Sequence, residues 1–171
     1  MNDIERLLAY EEIRQLAARY ALAVDSRDLD TLVGLFVDDV KVGERRGRAA
    51  LHESFAASFR GIGISILNIG THVIDLVDDD RATGNLYCKG EIEDGERWIH
   101  QAILYRDTYE RRDGHWYFAK RVHLLWYGAD VGVNPLTMPR ATWPEFHDGR
   151  GSVPECWDTF VAFRDAAQDD R

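Results

Sequence analysis

The sequence predicts an α+β domain in which three N-terminal helices pack on one face of a meander of antiparallel strands. Three observations predict it. Between residues 9 and 59 apolar side chains recur at three- and four-residue spacing. From about residue 63 the chain becomes four long stretches rich in β-branched and aromatic residues. Short breaks separate those stretches, and two of them, "EDGE" and "RRDG", carry the Asp-Gly pair that favours tight hairpins.

Residues 9–26 place Ile13, Leu16, Ala17, Tyr20, Ala21 and Val24 on one helical side and leave Glu11, Glu12 and Arg19 for solvent. Asp28 is the expected N-cap of a short second helix carrying Leu29, Leu32, Leu35 and Phe36. After "DDVKVGERRG", Leu51, Phe55 and Phe59 mark a third helix. The strands are expected in "ISILNIGTHVIDLV", "RATGNLYCKGEIE", "RWIHQAILYRDTYER" and "HWYFAKRVHLLWYG". Trp98, Ala102 and Leu104 share one parity, and Ile99, Ile103 and Tyr105 share the other. A sheet covered on both faces is therefore expected, the helices meeting one face and the C-terminal segment or another subunit meeting the other. The extension 129–171 begins rich in Pro and Gly and ends in the helical "CWDTFVAFRDAA". No repeat or linker marks a second domain, so residues 1–171 read as one.

A chain of 171 residues can bury a core and still enclose a cavity. Its net charge of −9 speaks against nucleic acid or an anionic membrane as the main partner. No run approaches the ~20 apolar residues of a membrane span, and "MNDIERLLAYEEI" lacks the basic start and apolar core of a signal peptide. A cytoplasmic protein is expected. Cys88 and Cys156 form no CxxC pair, so neither a disulfide framework nor a zinc ribbon is suggested. The six histidines lack metal-ligand spacing, "GIGIS" lacks the further glycine of a dinucleotide fingerprint, and neither a GxSxG elbow nor a Cys/His pairing is visible. Neither metal nor cofactor is expected, which leaves chemistry by side chains alone.

Asp25 is the first candidate. It continues the apolar row Ala17, Ala21 beside the row Leu16, Tyr20, Val24, so its carboxylate either ends the helix in water or points into a pocket. His72, in "NIGTHVID", sits among apolar strand neighbours, where a structural and a functional histidine are both open readings. Arg121 and His123 are two residues apart in "AKRVHLLWY" and share a strand face. Two such groups on an apolar strand call for an acceptor, or else they sit at a solvated rim.

The helix ending in "YALAVDSRDLDTLVGLFVDDV", the strand with "THV" and the late "YERRDGHWYFAKR" together resemble the SnoaL-like branch of the nuclear-transport-factor-2-like superfamily, over roughly residues 3–128. Its eliminating members include hexachlorocyclohexane dehydrochlorinase, scytalone dehydratase and bile-acid 7α-dehydratase. The resemblance implies a cone: a curved antiparallel sheet wrapped over three helices, with a deep pocket between them. It implies a working dyad of Asp25 and His72, assisted by Arg121 and Tyr20. In such a dyad Asp25 accepts the imidazole N–H and leaves the other nitrogen as a base, while Arg121 and His123 polarise a departing oxygen. In the dehydrochlorinase register Gln101 and His123 point inward beside Leu86, Cys88, Ile99, Ile103 and Leu125. That lining suits an oxygenated cyclic or aromatic substrate better than a chlorinated hydrocarbon. The expected activity is a cofactor-independent lyase, a dehydratase first. A retro-aldol carbon–carbon lyase, a ketosteroid-type isomerase and a non-catalytic subunit like that of ring-hydroxylating dioxygenases are the alternatives. A homo-oligomer is expected, a trimer before a dimer, with Trp143, Phe146 or Trp157 of the extension closing the cone or meeting another subunit.

Overall fold

The computed structural model describes residues 1–132, 134, 137–140 and 154–169. Helix α1 spans Asp3–Asp25 and begins before its apolar periodicity does. Its start is set by a capping box: Glu5 N donates to Asn2 Oδ1 at 2.9 Å and Asn2 N donates to Glu5 Oε2 at 2.7 Å. Ile4, Leu7 and Leu8 in the first turns are exposed, so the buried stripe starts only at Ala9. Helix α2, Leu29–Gly34, is capped by Asp28, which accepts from Thr31 N at 3.0 Å as its sequence suggests. Two short strands follow, β1 (Lys41–Val42) and β2 (Arg45–Arg46), and then α3 (Arg48–Arg60).

Four strands form the main sheet: β3 (Ser65–Leu76), β4 (Arg81–Asp94), β5 (Arg97–Arg112) and β6 (His115–Asp130), antiparallel in that order and not closed into a barrel. Asp113 and Gly114 of the last hairpin both have positive φ (51° and 83°), the signature of a type I′ turn. In the preceding hairpin Asp94 pairs with Arg97, so Gly95 and Glu96 are the central residues and only Gly95 takes positive φ, 61°.

Bulges bend the sheet around the helices. On β3, Ile69 faces Cys88 and His72 faces Leu86, so β3 spends one extra residue at Gly70–Thr71. Before the bulge Ser65, Leu67 and Ile69 are the covered positions; after it they are His72, Ile74 and Leu76. Two further irregularities sit between β5 and β6. The inner face, with Leu86, Cys88, Ile103, Tyr109 and Phe118, packs on Ile13, Leu16, Ala17 and Val24 of α1.

The expectation of two covered faces holds at one end of the sheet. There α4, Asp158–Asp169, packs Phe160 against Ile64 and Trp98 with Trp157 alongside, and Thr159 Oγ1 donates to Ser26 O at 2.8 Å. Elsewhere the outer face shows Ile66, Val73, Tyr87 and Trp126 to solvent, with Tyr87 stacked on Trp126. Trp143 and Phe146 lie outside the described residues. Among the described residues no helix is long and apolar enough to cross a membrane.

Candidate active site

Strand alternation puts Tyr105, Asp107 and Tyr109 of β5 on the inner face, and the β5–β6 register sets Arg121 opposite Asp107 and His123 opposite Tyr105. The result is a buried bidentate ion pair. Arg121 Nε donates to Asp107 Oδ1 at 2.8 Å and Nη2 donates to Oδ2 at 2.6 Å, with side chains 5% and 0% exposed. The guanidinium carbon lies 4.2 Å from the ring centres of Tyr20 and Phe118 and 4.3 Å from that of Tyr105. Burial pulls against the Arg121 charge, yet its bonds and attraction to Asp107 more than offset this and hold the guanidinium protonated. One of its nitrogens, Nη1, is buried without an acceptor.

The pair continues toward β3. Tyr109 donates its hydroxyl proton to Asp107 Oδ2 at 2.8 Å, and His72 Nε2 lies 3.0 Å from the same tyrosine oxygen. A phenol has one proton to give, so this network assigns the imidazole proton to Nε2, donating to Tyr109, and leaves Nδ1 unprotonated. Burial pushes the His72 value below that of a free imidazole, with Asp107 opposing, so the ring is neutral at neutral pH. The approach of the two rings depends on Gly84 of β4. A Cβ there would lie 3.0 Å from Tyr109 Cε2 and 3.2 Å from His72 Nε2.

Asp25, the last residue of α1, belongs to a different cluster. Its Oδ2 accepts from the Leu67 amide at 2.9 Å, and Ser65 Oγ lies 3.4 Å from Oδ1. Arg27, at φ 57°, donates through Nη1 to Ser65 Oγ at 2.7 Å and lies 4.4 Å from the Phe59 ring centre. Burial raises the Asp25 carboxyl to about 6 against the opposing pull of the Leu67 amide, Arg27 and Ser65. The expected hydrogen bond between Asp25 and His72 is not formed. Asp25 is taken by Leu67 on the near side of the β3 bulge, and His72, beyond it, is taken by Tyr109. Cys88 lies between the clusters and feels both the Arg121 and the Asp25 charge.

This environment has a measurable consequence. The folded chain holds the Asp25 proton more tightly than the unfolded one, whose reference value is 3.8, so ionisation removes stability as pH rises from about 4 through about 6. Asp25→Asn keeps an acceptor for the Leu67 amide. It is expected to exceed the parent in stability near pH 7.5 by about 1–2 kcal/mol, discounted for the partial wetting of the carboxylate, with the gap closing below pH 4. Urea unfolding at both pH values checks this, and a gap that does not change with pH contradicts it.

A cavity of about 370 Å³ opens beside the ion pair, walled by Tyr20, Phe55 and Tyr105 and touched by Arg121 and His123. The His123 and Tyr105 ring centres are 5.4 Å apart, and burial with the Arg121 charge lowers the His123 value. Burial raises the Tyr20 phenol, opposed by Arg121. Of the other expected lining residues, Leu86, Cys88 and Ile103 are packed in the core, while Gln101 and Ile99 flank Gly128 near the rim. Leu125 is 54% exposed. Arg121, His123 and Tyr20 are thus brought together, and His72 joins them through Tyr109 and Asp107. The latter two, with Tyr105, escaped the sequence reading. Their signal was present: in "YRDTY" a carboxylate alternates with two tyrosines, and Arg121 needed an acceptor. Among the described residues no cluster of three or more His, Cys, Asp or Glu side chains is placed to hold a metal ion.

Three N-terminal helices inside a bulged, open antiparallel sheet, with polar groups on the inner face, define the α+β cone class. Residues 5–122 match the SnoaL-like domain, and the chain belongs to that family. It is 27% identical over 129 residues to the gamma-hexachlorocyclohexane dehydrochlorinase of Sphingobium indicum, covering 71% of this chain and 83% of the relative. The solved hexachlorocyclohexane dehydrochlorinase of Novosphingobium barchaimii is 26% identical with a TM-score of 0.66, over 77% of this chain and 95% of that one. A protein of unknown function from Mycobacterium tuberculosis shares the fold at 20% identity and a TM-score of 0.63, over 99% of this chain and 92% of that one.

Proposed function

We propose that this protein is a cofactor-independent lyase that removes water, or another small leaving group, from a small oxygenated cyclic or aromatic molecule. One observation carries the reading: the hydrogen-bonded line His72–Tyr109–Asp107–Arg121 runs from a half-buried, neutral imidazole to a guanidinium that borders an aromatic cavity. Kinship with dehydrochlorinases of a cyclic compound supports an elimination.

In this reading Nδ1 of His72 takes a proton from the carbon next to a carbonyl, and Asp107, acting through the Tyr109 hydroxyl, steadies the imidazolium that forms. The electron pair moves onto the carbonyl oxygen, which the Arg121 guanidinium and the Tyr20 hydroxyl meet. As the pair returns to make the carbon–carbon double bond, the β-hydroxyl leaves with the proton that His72 has taken, so water forms and the imidazole is neutral again. The role of orienting the histidine thus passes from Asp25 to Tyr109 and Asp107. The exposed outer face is the surface we assign to a homo-oligomer, a trimer before a dimer.

Chelator-treated protein, without nucleotide, is expected to dehydrate members of a panel of cyclic β-hydroxy ketones in D2O and to exchange deuterium into the carbon next to the carbonyl. Proton NMR reads both. Absence of elimination and exchange across that panel, and with hexachlorocyclohexane as well, overturns the reading.

A further inference from the structure

The cavity beside Arg121 has a charge pattern that elimination alone does not require. Besides Arg121 and His123, Lys41 and Lys120 are among the residues that line it, and among the described residues no acidic residue does. In a chain of net charge −9 this is a local reversal of sign. The acids nearest in sequence are already engaged: Asp38, Asp39 and Glu110 all pair with Arg112, and Glu53 pairs with Arg45. Neither lysine has an ion pair among the described residues. Tyr20, Phe36, Phe55 and Tyr105 wall the rest of the space, which is large enough for one six-membered ring with substituents. Arg121, whose buried Nη1 has no acceptor of its own, is one of the residues bordering that space.

We infer that this cavity takes a small cyclic or aromatic carboxylate, an inference that rests on the lyase reading and specifies its substrate class. The ring lies among the aromatic walls. Its permanent carboxylate lies toward Lys41 and Lys120, and its reacting oxygen lies toward the Arg121 guanidinium. Field lines from the two ammonium groups, focused between apolar walls, favour an anion over a neutral molecule of the same shape.

Calorimetric titration of the full-length chain with benzoate and with benzamide tests this. Benzoate is expected to bind about tenfold more tightly at low salt, and 0.5 M NaCl is expected to reduce the difference. The double variant K41Q/K120Q replaces two exposed side chains, so folding is preserved; it is expected to lose most of the preference while leaving benzamide affinity unchanged. Equal affinities in the parent chain, or a preference that survives in the double variant, overturn the inference. The two readings fail separately. If neutral cyclic substrates are eliminated but benzoate shows no preference, the carboxylate inference falls alone. If benzoate binds as expected and no substrate is turned over, the lyase reading falls and the anion site stands.

Discussion

Asp107→Ala is expected to lower stability by about 3–5 kcal/mol, the largest single effect in the molecule. Asp107 is fully buried and takes both an Nε and an Nη2 bond from Arg121, whose guanidinium is itself 5% exposed under three aromatic rings. Removing the carboxylate leaves a cation with no counter-charge and three ring faces in place of water. The aromatic rings offset only part of that, since a cation–π contact contributes about 0.5–2 kcal/mol. The Tyr109 hydroxyl loses its acceptor at the same time, and His72 loses the group that anchors its neighbour. Asp107→Asn, which keeps one acceptor oxygen, is expected to fall between the parent and the alanine variant. The double variant Asp107→Leu/Arg121→Met, which removes both charges, is expected to recover most of the loss, because the cost lies in the unpaired charge rather than in the missing contact. Urea unfolding of the parent and the three variants measures this order. A loss below about 1 kcal/mol for Asp107→Ala would refute the claim that this pair is dry.

His72→Ala is expected to lower kcat/KM about 100- to 10,000-fold while leaving the fold intact, because the residue is half-buried and its hydrogen-bond partner is a single tyrosine oxygen. The pH profile should carry the same signature. A neutral imidazole is the competent form, and burial lowers its value below the usual 6.5, so activity should fall as pH drops below that point and level off toward neutrality. Asp25 titrates near 6 and could produce a similar limb. Asp25→Asn separates the two: a limb that survives in this variant belongs to His72. Tyr109→Phe removes the acceptor for Nε2–H and lets the other tautomer compete, with an expected loss of about tenfold. Parental turnover in a folded His72→Ala protein would remove the base from the mechanism.

The parts of the fold that were readable from the chain are those set by neighbours in sequence. Helical periodicity, the Asp28 cap and the Asp-Gly hairpin at Asp113–Gly114 each depend on a few adjacent residues, and each stands where the pattern put it. The start of α1 was missed because its first turns carry exposed apolar residues that blur the stripe. Family membership was legible for a related reason, since "THV" and "YERRDGHWYFAKR" are local strings.

The partners of the site residues were not legible, because they are joined across the sheet. Arg121 visibly needed an acceptor, but that Asp107 supplies it follows from a register in which two residues 14 positions apart face each other. His72 and Tyr109, 37 positions apart, meet because one extra residue at Gly70–Thr71 turns His72 inward and because Gly84 leaves room. Asp25 is taken by the Leu67 amide, 42 positions away, rather than by a histidine. Hydrophobic pattern and turn chemistry act over a few residues and survive in the linear string. A hydrogen bond between side chains needs sub-ångström placement, and only the packed sheet, with its bulges counted, provides that.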